Sequence, residues 1–441
     1  MQQPPKEGKA PEDYKFWNTQ PVPKFKEPNL LQTTDGSNGA QSLPEGAILP
    51  DAVCKASIKP QPEKLVDGFE WCEVNLESSE EMQELYDLLY NHYVEDTDGS
   101  FRFNYSTRFL AWALKPPGGH SQWHIGVRTK PAVEGKKGKL VAFISGIPIT
   151  LCVGTHTLKA SEINFLCIHR KLRSKRLAPV LIKEITRRCY QLDIFQALYT
   201  AGTVLPTPVS TCRYYHRSLD WEHLYSMGFS HLPLGSTKTR QKYRYRVESH
   251  PQLKGLREMK PTDVSAVKDL LERYNKRFAL RQEFTEDELT HLMCSAASKG
   301  VVWAYVVEQE GRITDFISYY LLESTVLRSQ QKSAIRAAYL YYYASDAAFS
   351  DEAGANSSLQ KRLQALVHDA LILAKRDGFH VFNALTLLDN PLFLSEEKFE
   401  PGDGKLNYYL FNWRTAKLHG GTDENGNADE SRQSGIGLVM V

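Results

Sequence analysis

A run of cationic residues stands where an apolar segment gives way to a predicted helix. Five of residues 170–176 are basic, and Pro179 follows closely. Proline lacks a backbone N–H and is tolerated only in the first turn of a helix, so the helix is predicted to begin near Leu177 or Ala178. Free backbone N–H groups, the positive end of the helix dipole and several cationic side chains then converge on one point. The sequence therefore predicts an anion site suited to a pyrophosphate group.

Two elements must hold this basic loop in place. Before it, the segment SEINFLCIH (from Ser161) is apolar on both faces of a predicted strand, which indicates burial on both sides. After it, Leu177, Leu181 and Ile185 recur at helical spacing while charged residues occupy the opposite face. This spacing predicts an amphipathic helix over 177–189. A buried strand, a basic loop and an amphipathic helix thus follow one another.

The same basic run also fits a nuclear-localisation or nucleic-acid-binding patch. Such patches usually occur in polar, flexible segments, whereas this run joins a buried strand to an amphipathic helix. The phosphate site is therefore the favoured interpretation, and no nucleic-acid partner is expected. The chain contains no glycine-rich P-loop, so hydrolysis of a nucleoside triphosphate is not expected either.

Three segments are echoed, in the same order, roughly 180 residues further along the chain. The pairs are EVNLESSEEMQELYDLLY (from Glu73) with EMKPTDVSAVKDLLERY (from Glu258), GKLVAFIS (from Gly138) with GRITDFIS (from Gly311), and IFQALYT (from Ile194) with VFNALTL (from Val381). The first pair indicates a short strand, a polar cap and an amphipathic helix, and the other two indicate strands. Together they predict a duplicated α/β unit.

Three regions are predicted along the chain. Residues 1–65 are rich in Pro, Gly and polar residues and are predicted to form a flexible arm that covers part of the rest. Residues 66–245 and 246–441 are predicted to form two lobes. Each lobe should contain a mixed sheet flanked by helices, with long helices at 177–189 and 359–375.

Composition narrows the class of protein. The chain has 441 residues, 41% of them hydrophobic, which is enough for two or three domains. A formal net charge of +2 provides no basic field for nucleic acid or for an anionic membrane. The seven cysteines are scattered without a C-x-x-C pair, which favours a reducing compartment and argues against structural zinc. Without a signal-peptide pattern or an apolar run of membrane-spanning length, a cytoplasmic protein is expected.

The C-terminal segment GIGLVMV is apolar, whereas most chain termini are polar and frayed. This composition predicts that the last residues are buried. From composition alone they form either a last strand or a functional part of the molecule.

The strand, basic loop and helix together resemble the pantetheine and pyrophosphate cradle of GNAT-type CoA transferases. More specifically, EINFLCIH followed by RSKRLAP resembles the first signature of the N-myristoyltransferase family, and KFEPGDGKLNYYLFNW (from Lys398) resembles its second. Further matches, in order, are YKFWNTQPVP (from Tyr14), HYVEDTDGSFRFNYS (from His92), YTAGTVLPTP (from Tyr199) and YYHRSLD (from Tyr214). The resemblance extends from residue 14 to the C-terminus. It implies an α/β fold of two tandem GNAT-like lobes with a pseudo-twofold relation.

The implied reaction transfers myristate from myristoyl-CoA to the α-amine of an N-terminal glycine, by direct attack on the thioester. The backbone amides of Phe165 and Leu166 would form an oxyanion hole, although ordinary sheet hydrogen bonds are the alternative for these amides. The main-chain carboxylate of Val441 would be the general base, because the substrate ammonium must lose a proton. Asn164 and Thr200 would help to hold the glycine.

The resemblance also implies two sets of binding residues. For the co-substrate myristoyl-CoA they are Tyr14, Lys15, Phe16, Trp17, Phe165, Leu166, Cys167, Ile168, Arg173, Ser174, Lys175, Arg176, Leu177 and Ala178. For the peptide they are Asp96, Asp98, Phe101, Tyr214, His216, Ser318, Tyr339 and Asp403. The three acids would meet basic residues downstream of the glycine; otherwise they are solvated loop charges. Neither a metal nor a prosthetic group is implied, and Cys167 would line the CoA site without carrying the acyl group.

Some positions depart from the family pattern. Thr97 interrupts an acidic run, Glu400 replaces a glycine, Arg170 stands where lysine is common, and 419–435 resembles an insertion. Thr97 and Glu400 put the fine peptide preference in doubt, not the reaction. The expected partners are N-terminal-glycine peptides and nascent proteins. The enzyme is expected to be a monomer, and its association with the ribosome is left open.

Two other functions are compatible with the sequence. One is a GNAT-type transferase that uses another acyl-CoA, such as an N-terminal acetyltransferase. The other is a non-enzymatic acyl-CoA-binding or scaffolding protein. Preference for acyl length separates the first from a myristoyltransferase, and dependence on a free terminal carboxylate separates the second.

Overall fold

The computed structural model of the protein describes residues 14–24, 44–94, 101–131, 135–327, 334–349 and 355–441. The strands are β1 Gly46–Ala47, β2 Phe69–Glu73, β3 Phe101–Asn104, β4 His124–Thr129, β5 Leu140–Val153, β6 His156–Ile168, β7 Gln196–Ala201, β8 Ser210–Ser218, β9 Leu256–Glu258, β10 Leu280–Glu283, β11 Val302–Gln309, β12 Arg312–Val326, β13 Ala334–Ser345, β14 Val381–Leu385, β15 Glu400–Phe411, β16 Trp413–Arg414 and β17 Ile436–Gly437. The α-helices are α1 Asp51–Ala56, α2 Ser79–His92, α3 Thr107–Leu114, α4 Leu177–Tyr190, α5 Trp221–Ser226, α6 Lys238–Arg244, α7 Val264–Asn275, α8 Glu286–Cys294, α9 Ala355–Arg376 and α10 Pro391–Leu394.

One mixed sheet of fifteen strands runs through the described residues, while β1 and β16 form a separate pair. Its path is β17-β10-β5-β6-β7-β15-β8-β14-β13-β12-β11-β9. In addition, β4 pairs with β5 and with β2, and β3 pairs with β12. Helices pack on both faces of the sheet. In the first half, α2 packs with Phe143 and Phe165 in the main core, whereas Leu181 and Ile185 of α4 pack with Ile144 on the other face.

The two halves of the chain repeat the same pairing pattern. In the first half, β4 pairs antiparallel with β2 and β5, β5 pairs antiparallel with β6, and β6 pairs parallel with β7. In the second half, β11 pairs antiparallel with β9 and β12, β12 antiparallel with β13, and β13 parallel with β14. The predicted α/β class with duplicated, pseudo-twofold-related lobes is therefore confirmed. The boundaries at residues 65 and 245 stay a prediction.

The last large strand of each half is exchanged with the other half. β7 pairs with β15 from the end of the chain, and β14 pairs with β8 from the first half. β8 and β15 are antiparallel neighbours at the centre of the sheet. The two halves consequently share one continuous sheet.

Local signals explain where the helices begin. Ser78 caps α2 by accepting a hydrogen bond from the backbone N–H of Glu81, and Thr285 and Glu288 form a capping box at α8. Helix α4 begins at Leu177, as Pro179 predicts, and ends one residue beyond the predicted 189. Helix α9 begins four residues before the predicted 359 and ends at Arg376. None of the described helices has the length and hydropathy needed to cross a bilayer.

Candidate active site

The ladder between β5 and β6 is interrupted at the residues predicted to form an oxyanion hole. Its register passes from Phe143 opposite Cys167 to Ser145 opposite Asn164, so two residues of β6, Phe165 and Leu166, face a single residue of β5. A β-bulge of this kind leaves residues outside the regular ladder and re-aims the strand. Phe165 has φ of 56°, a conformation that a bulky residue adopts only where the surrounding structure enforces it.

Beside the bulge, β6 and β7 part from one another. Their parallel register ends with Ile163 opposite Tyr199. The next residues of both strands, Asn164 and Thr200 among them, line a cavity of about 680 Å³, within the range of small-molecule sites. The bulge and the parting strands together open the sheet at this point.

The cavity gathers predicted residues that are far apart in the sequence. Those lining it are Trp17, Asn164, Phe165, Leu166, Thr200, Tyr214, His216, Tyr339 and Val441. They come from the arm, four strands and the C-terminal tail. Most of the remaining wall is apolar, with Ile182, Ile185 and Cys189 contributed by α4. An apolar chamber with a few polar groups suits an extended acyl chain that carries a polar end.

Glu162 of β6 is a buried polar residue that the sequence analysis missed. Asn164 Nδ2 donates to Glu162 Oε1 at 2.6 Å, which leaves the amide oxygen of Asn164 available as an acceptor. Burial raises the pKa of Glu162 to about 7, against the hydrogen bond from Asn164, which lowers it. The strand period of two places these side chains on one face. That spacing, with an acid inside an apolar strand, was the available signal.

Tyr93 also faces the bulge and was not predicted. Burial raises the pKa of its hydroxyl, while a hydrogen bond from the backbone N–H of Phe165 opposes that rise. One of the two amides assigned to the oxyanion hole is therefore directed at Tyr93 in this structure, and the other belongs to Leu166. Tyr93 lines the same cavity.

The C-terminal tail reaches the cavity along a fixed course. β17 pairs parallel with β10, and the Leu388 N–H donates to the Ile436 carbonyl at 2.8 Å. Leu438, Val439 and Met440 are buried. Val441 is half-buried and lines the cavity.

The described part of the arm covers one side of the cavity. Trp17 stacks on Tyr199 with 5.4 Å between ring centroids, and Tyr14 donates its hydroxyl to the Val204 carbonyl at 2.9 Å. Lys15 and Phe16 do not line the cavity, although Phe16 packs edge-on against Trp17.

The predicted phosphate loop lies at the start of α4. Residues 170–175 form a 3₁₀-helix instead of an open loop, because the ring of His169 accepts the Lys171 N–H and caps it. Arg176 follows with φ of 56°, and the side chains of Lys175 and Arg176 are exposed. Arg173 donates to the carbonyl of His92. Leu177 and Ala178 are half-buried, and the side chain of Ser174 lies outside the described residues.

The predicted peptide residues separate into those at the cavity and those away from it. Tyr214, His216 and Tyr339 line it, and Asn383 orients His216 through a 2.7 Å contact to Nδ1. Asp403 is exposed, next to the lining residues Gly404 and Lys405, and its charge raises the pKa of His216 against the dominant lowering by burial. Phe101 packs on Phe229 without lining the cavity. Asp96 and Asp98 lie outside the described residues.

Three further assigned residues do not line the cavity, namely Ser318, Cys167 and Ile168. Ser318 is fully buried, and its hydroxyl donates to the Tyr342 carbonyl and accepts the Tyr342 N–H. Its contact with a peptide stays a prediction. The thiol of Cys167 donates to the Leu88 carbonyl, and burial raises its pKa to about 12, which makes it a poor nucleophile. No cluster of three or more potential metal ligands occurs among the described residues.

A duplicated α/β fold encloses a largely apolar cavity beside a bulged, parted strand pair, an arrangement suited to an acyl-CoA transferase. Residues 49–212 match the family profile "Myristoyl-CoA:protein N-myristoyltransferase, N-terminal domain", and residues 226–439 match the profile of its C-terminal domain. The chain therefore belongs to the N-myristoyltransferase family and is an acyltransferase.

Individual relatives agree with this assignment. The glycylpeptide N-tetradecanoyltransferase of Emericella nidulans is 52% identical over 97% of this chain and 84% of the relative. The enzyme of the same name from Aspergillus fumigatus is 53% identical over the same shares. Among solved structures, Saccharomyces cerevisiae N-myristoyltransferase with bound myristoyl-CoA matches with a TM-score of 0.89 and 44% identity, covering 98% of this chain and all of that one.

Proposed function

We propose that this chain transfers a myristoyl group from myristoyl-CoA to the α-amine of an N-terminal glycine. The observation that carries the proposal is the single cavity in which the β6 bulge, Thr200 of β7 and the C-terminal residue Val441 meet. A thioester carbonyl at the bulge would face an amine held near Thr200 and Val441. The apolar remainder of the cavity would hold the acyl chain.

The proposed reaction proceeds in one chemical step on the protein. The Leu166 amide, together with the Phe165 amide once it releases the Tyr93 hydroxyl, stabilises the negative charge that develops on the thioester oxygen. The Asn164 amide oxygen and Thr200 hold the ammonium, whose proton passes to the Val441 carboxylate. The free amine attacks the carbonyl carbon and forms the C–N bond. The C–S bond then breaks, and the departing CoA thiolate takes up the second proton that the nitrogen loses as it becomes an amide. No acyl-enzyme intermediate is formed.

The basic segment before α4 is proposed to bind the phosphates of CoA. Lys175 and Arg176 project from the start of α4, where backbone N–H groups and the helix dipole also favour an anion. Ile182 and Ile185, one to two turns further along α4, line the cavity. The same helix would therefore contact both the nucleotide end and the acyl end of the co-substrate.

The cellular setting is also a proposal. All seven cysteines are free, as in proteins of reducing compartments, which supports a cytoplasmic location. Asp403 beside the cavity supports a preference for peptides with basic residues after the glycine, and we propose that Asp96 and Asp98 contribute to it. A monomer that acts on nascent chains fits this setting.

The transfer is tested by incubating the protein with myristoyl-CoA and an octapeptide that begins with glycine. Mass spectrometry should detect one tetradecanoyl amide on the peptide α-amine. A peptide with an acetylated N-terminus is the matched control and should remain unmodified. Preferential use of acetyl-CoA over myristoyl-CoA would contradict the proposal and favour an N-terminal acetyltransferase.

The base is tested separately at the terminus. Deleting Val441 should slow acyl transfer by about 10²–10⁴-fold, the range for a lost general base, while myristoyl-CoA still binds. Val441→Leu keeps the carboxylate in place and should remain active. Single-turnover kinetics with preformed acyl-CoA complex measures the rate. An equally fast deletion variant would exclude the terminal carboxylate from the mechanism.

A further inference from the structure

Two buried tyrosines form hydrogen bonds with the same peptide group of the C-terminal tail. The Tyr408 hydroxyl donates to the Leu438 carbonyl at 3.1 Å, and the Val439 N–H donates to the Tyr342 hydroxyl at 3.1 Å. This carbonyl and this N–H belong to one peptide bond, which is planar, so the two phenols fix the orientation of the whole unit. Both rings are fully buried.

The peptide group between Leu438 and Val439 is the last point at which a described side chain holds the tail by a hydrogen bond. Val441 lies two residues further on, at most about 7 Å of extended chain from it. Turning the peptide plane by about 10° would therefore move the terminal carboxylate by about 1 Å, a displacement that can cost as much as 10²-fold in rate.

The two tyrosines are themselves rigidly placed. Tyr408 lies in register with Thr200 of β7, so the strand that carries it also forms the cavity wall. Tyr342 lies at a second bulge, where the register of β12 and β13 passes from Ile317 opposite Tyr343 to Tyr319 opposite Leu340. Ser318, which faces this bulge, exchanges hydrogen bonds with both backbone groups of Tyr342. The second bulge thus turns the Tyr342 phenol towards the tail.

We infer that Tyr342 and Tyr408 are positioning residues that aim the Val441 carboxylate at the reacting amine. The inference rests on the proposed role of that carboxylate and adds the groups that hold it. Neither phenol lines the cavity. Burial raises the pKa of Tyr342 above its ordinary value, so its hydroxyl stays neutral throughout the working pH range.

The test removes single oxygens with Tyr342→Phe and Tyr408→Phe. Each should lower the single-turnover rate about tenfold and the pair about a hundredfold, with the dissociation constant of myristoyl-CoA unchanged. Tyr343→Phe is the matched control, because the Tyr343 hydroxyl is equally buried and also bonds a backbone N–H, that of Asp389. It should lose as much thermal stability while keeping its rate.

A double-mutant cycle separates positioning from general destabilisation. If the tyrosines act through the carboxylate, their rate losses should vanish in the enzyme that lacks Val441. A tail that is merely destabilised would instead show the same rate losses whether or not Val441 is present.

Two results would overturn the inference. Losses that persist in full without Val441 would overturn the positioning role alone and leave the carboxylate as base. A Val441-deleted enzyme at full rate would overturn the base and the positioning role together. If Tyr342→Phe fails to bind myristoyl-CoA, Tyr408→Phe decides the question by the same two measurements.

Discussion

Phe165 lies in the middle of a buried strand and has a positive φ, a backbone conformation that is usual only for glycine. Alternation along EINFLCIH predicted a regular strand, and only the family resemblance pointed to its amides. The bulge could not have been predicted because the alternation of apolar residues along β6 does not show where the register of the β5–β6 hairpin shifts. The second bulge, which brings the Ser318 hydroxyl into hydrogen bonds with the Tyr342 backbone, could not have been predicted for the same reason. By contrast, nine of the assigned residues line one cavity. These residues were assigned through motifs that match the family in order along the chain.

Glu162 gives a prediction for stability as a function of pH. Its pKa is raised from 4.5 to about 7 in the folded protein by burial. The folded state therefore binds the extra proton, and the free energy of unfolding should fall as pH rises from about 4.5 to about 7. Glu162→Gln removes this cost and should be more stable than the wild type at pH 8 by about 3 kcal/mol.

Urea unfolding at pH 8 and at pH 4 measures the difference, which should be near zero at the lower pH. Glu70→Gln, at an exposed position of β2, is the matched control and should change stability little at either pH. An equal gain for Glu162→Gln at both pH values would show that ionisation of Glu162 is not its cause.

The elements of the two halves correspond, but their connections differ in charge. The first half joins β6 to α4 through a segment in which five of seven residues are basic, whereas the segment SDAAFSDEAG between β13 and α9 is acidic. The second bulge is closed by the Ser318 hydroxyl. In the described structure, the first half therefore combines a cationic segment with a bulge that lines the cavity. The echoes predicted the repeated elements, and local charge is the reason for proposing the phosphate site in the first half.

Removing cations from the segment before α4 tests the proposed phosphate site. Lys175→Ala combined with Arg176→Gly removes two cations, and glycine suits the positive φ of residue 176, so the fold should be kept. Each lost charge-assisted contact should weaken myristoyl-CoA binding by roughly 1.5–3 kcal/mol, measured by calorimetry. Lys183→Ala, an exposed cation further along α4, is the control and should bind normally. Unchanged affinity in the double variant would exclude these cations from the phosphate site.

At the scale of the whole molecule, the exchange of β8 and β15 could not have been predicted. Both strands follow local patterns that suit pairing within their own half, and nothing in a local pattern specifies a partner nearly 200 residues away. The predicted division at residue 245 follows the repeat in the sequence, yet β7 is completed only by β15. The repeat in the sequence thus identifies the duplicated unit, but it does not show that strands of the two units pair in one sheet.

Separate halves should therefore fail where the joined chain succeeds. A fragment of residues 1–245 should not bind myristoyl-CoA, because β7, which forms one wall of the cavity, lacks its neighbour β15. Co-expression with residues 246–441 should restore binding through association of the two fragments. Calorimetry and size-exclusion chromatography check both statements. Binding of myristoyl-CoA by the first fragment alone would show that the shared sheet is not required for the cavity.

The pairing of β7 with β15 also determines when the sheet can form during translation. The roughly 200 residues from β7 to β15 take about 10–40 s to translate at 5–20 residues per second. During that interval β7 has emerged with one edge unpaired, and such an edge is a site of mispairing with other chains. The nascent enzyme would be unable to enclose its co-substrate until β15 has been made. Protection of that edge by chaperones should accordingly matter more for this chain than for a protein of equal size whose halves close independently.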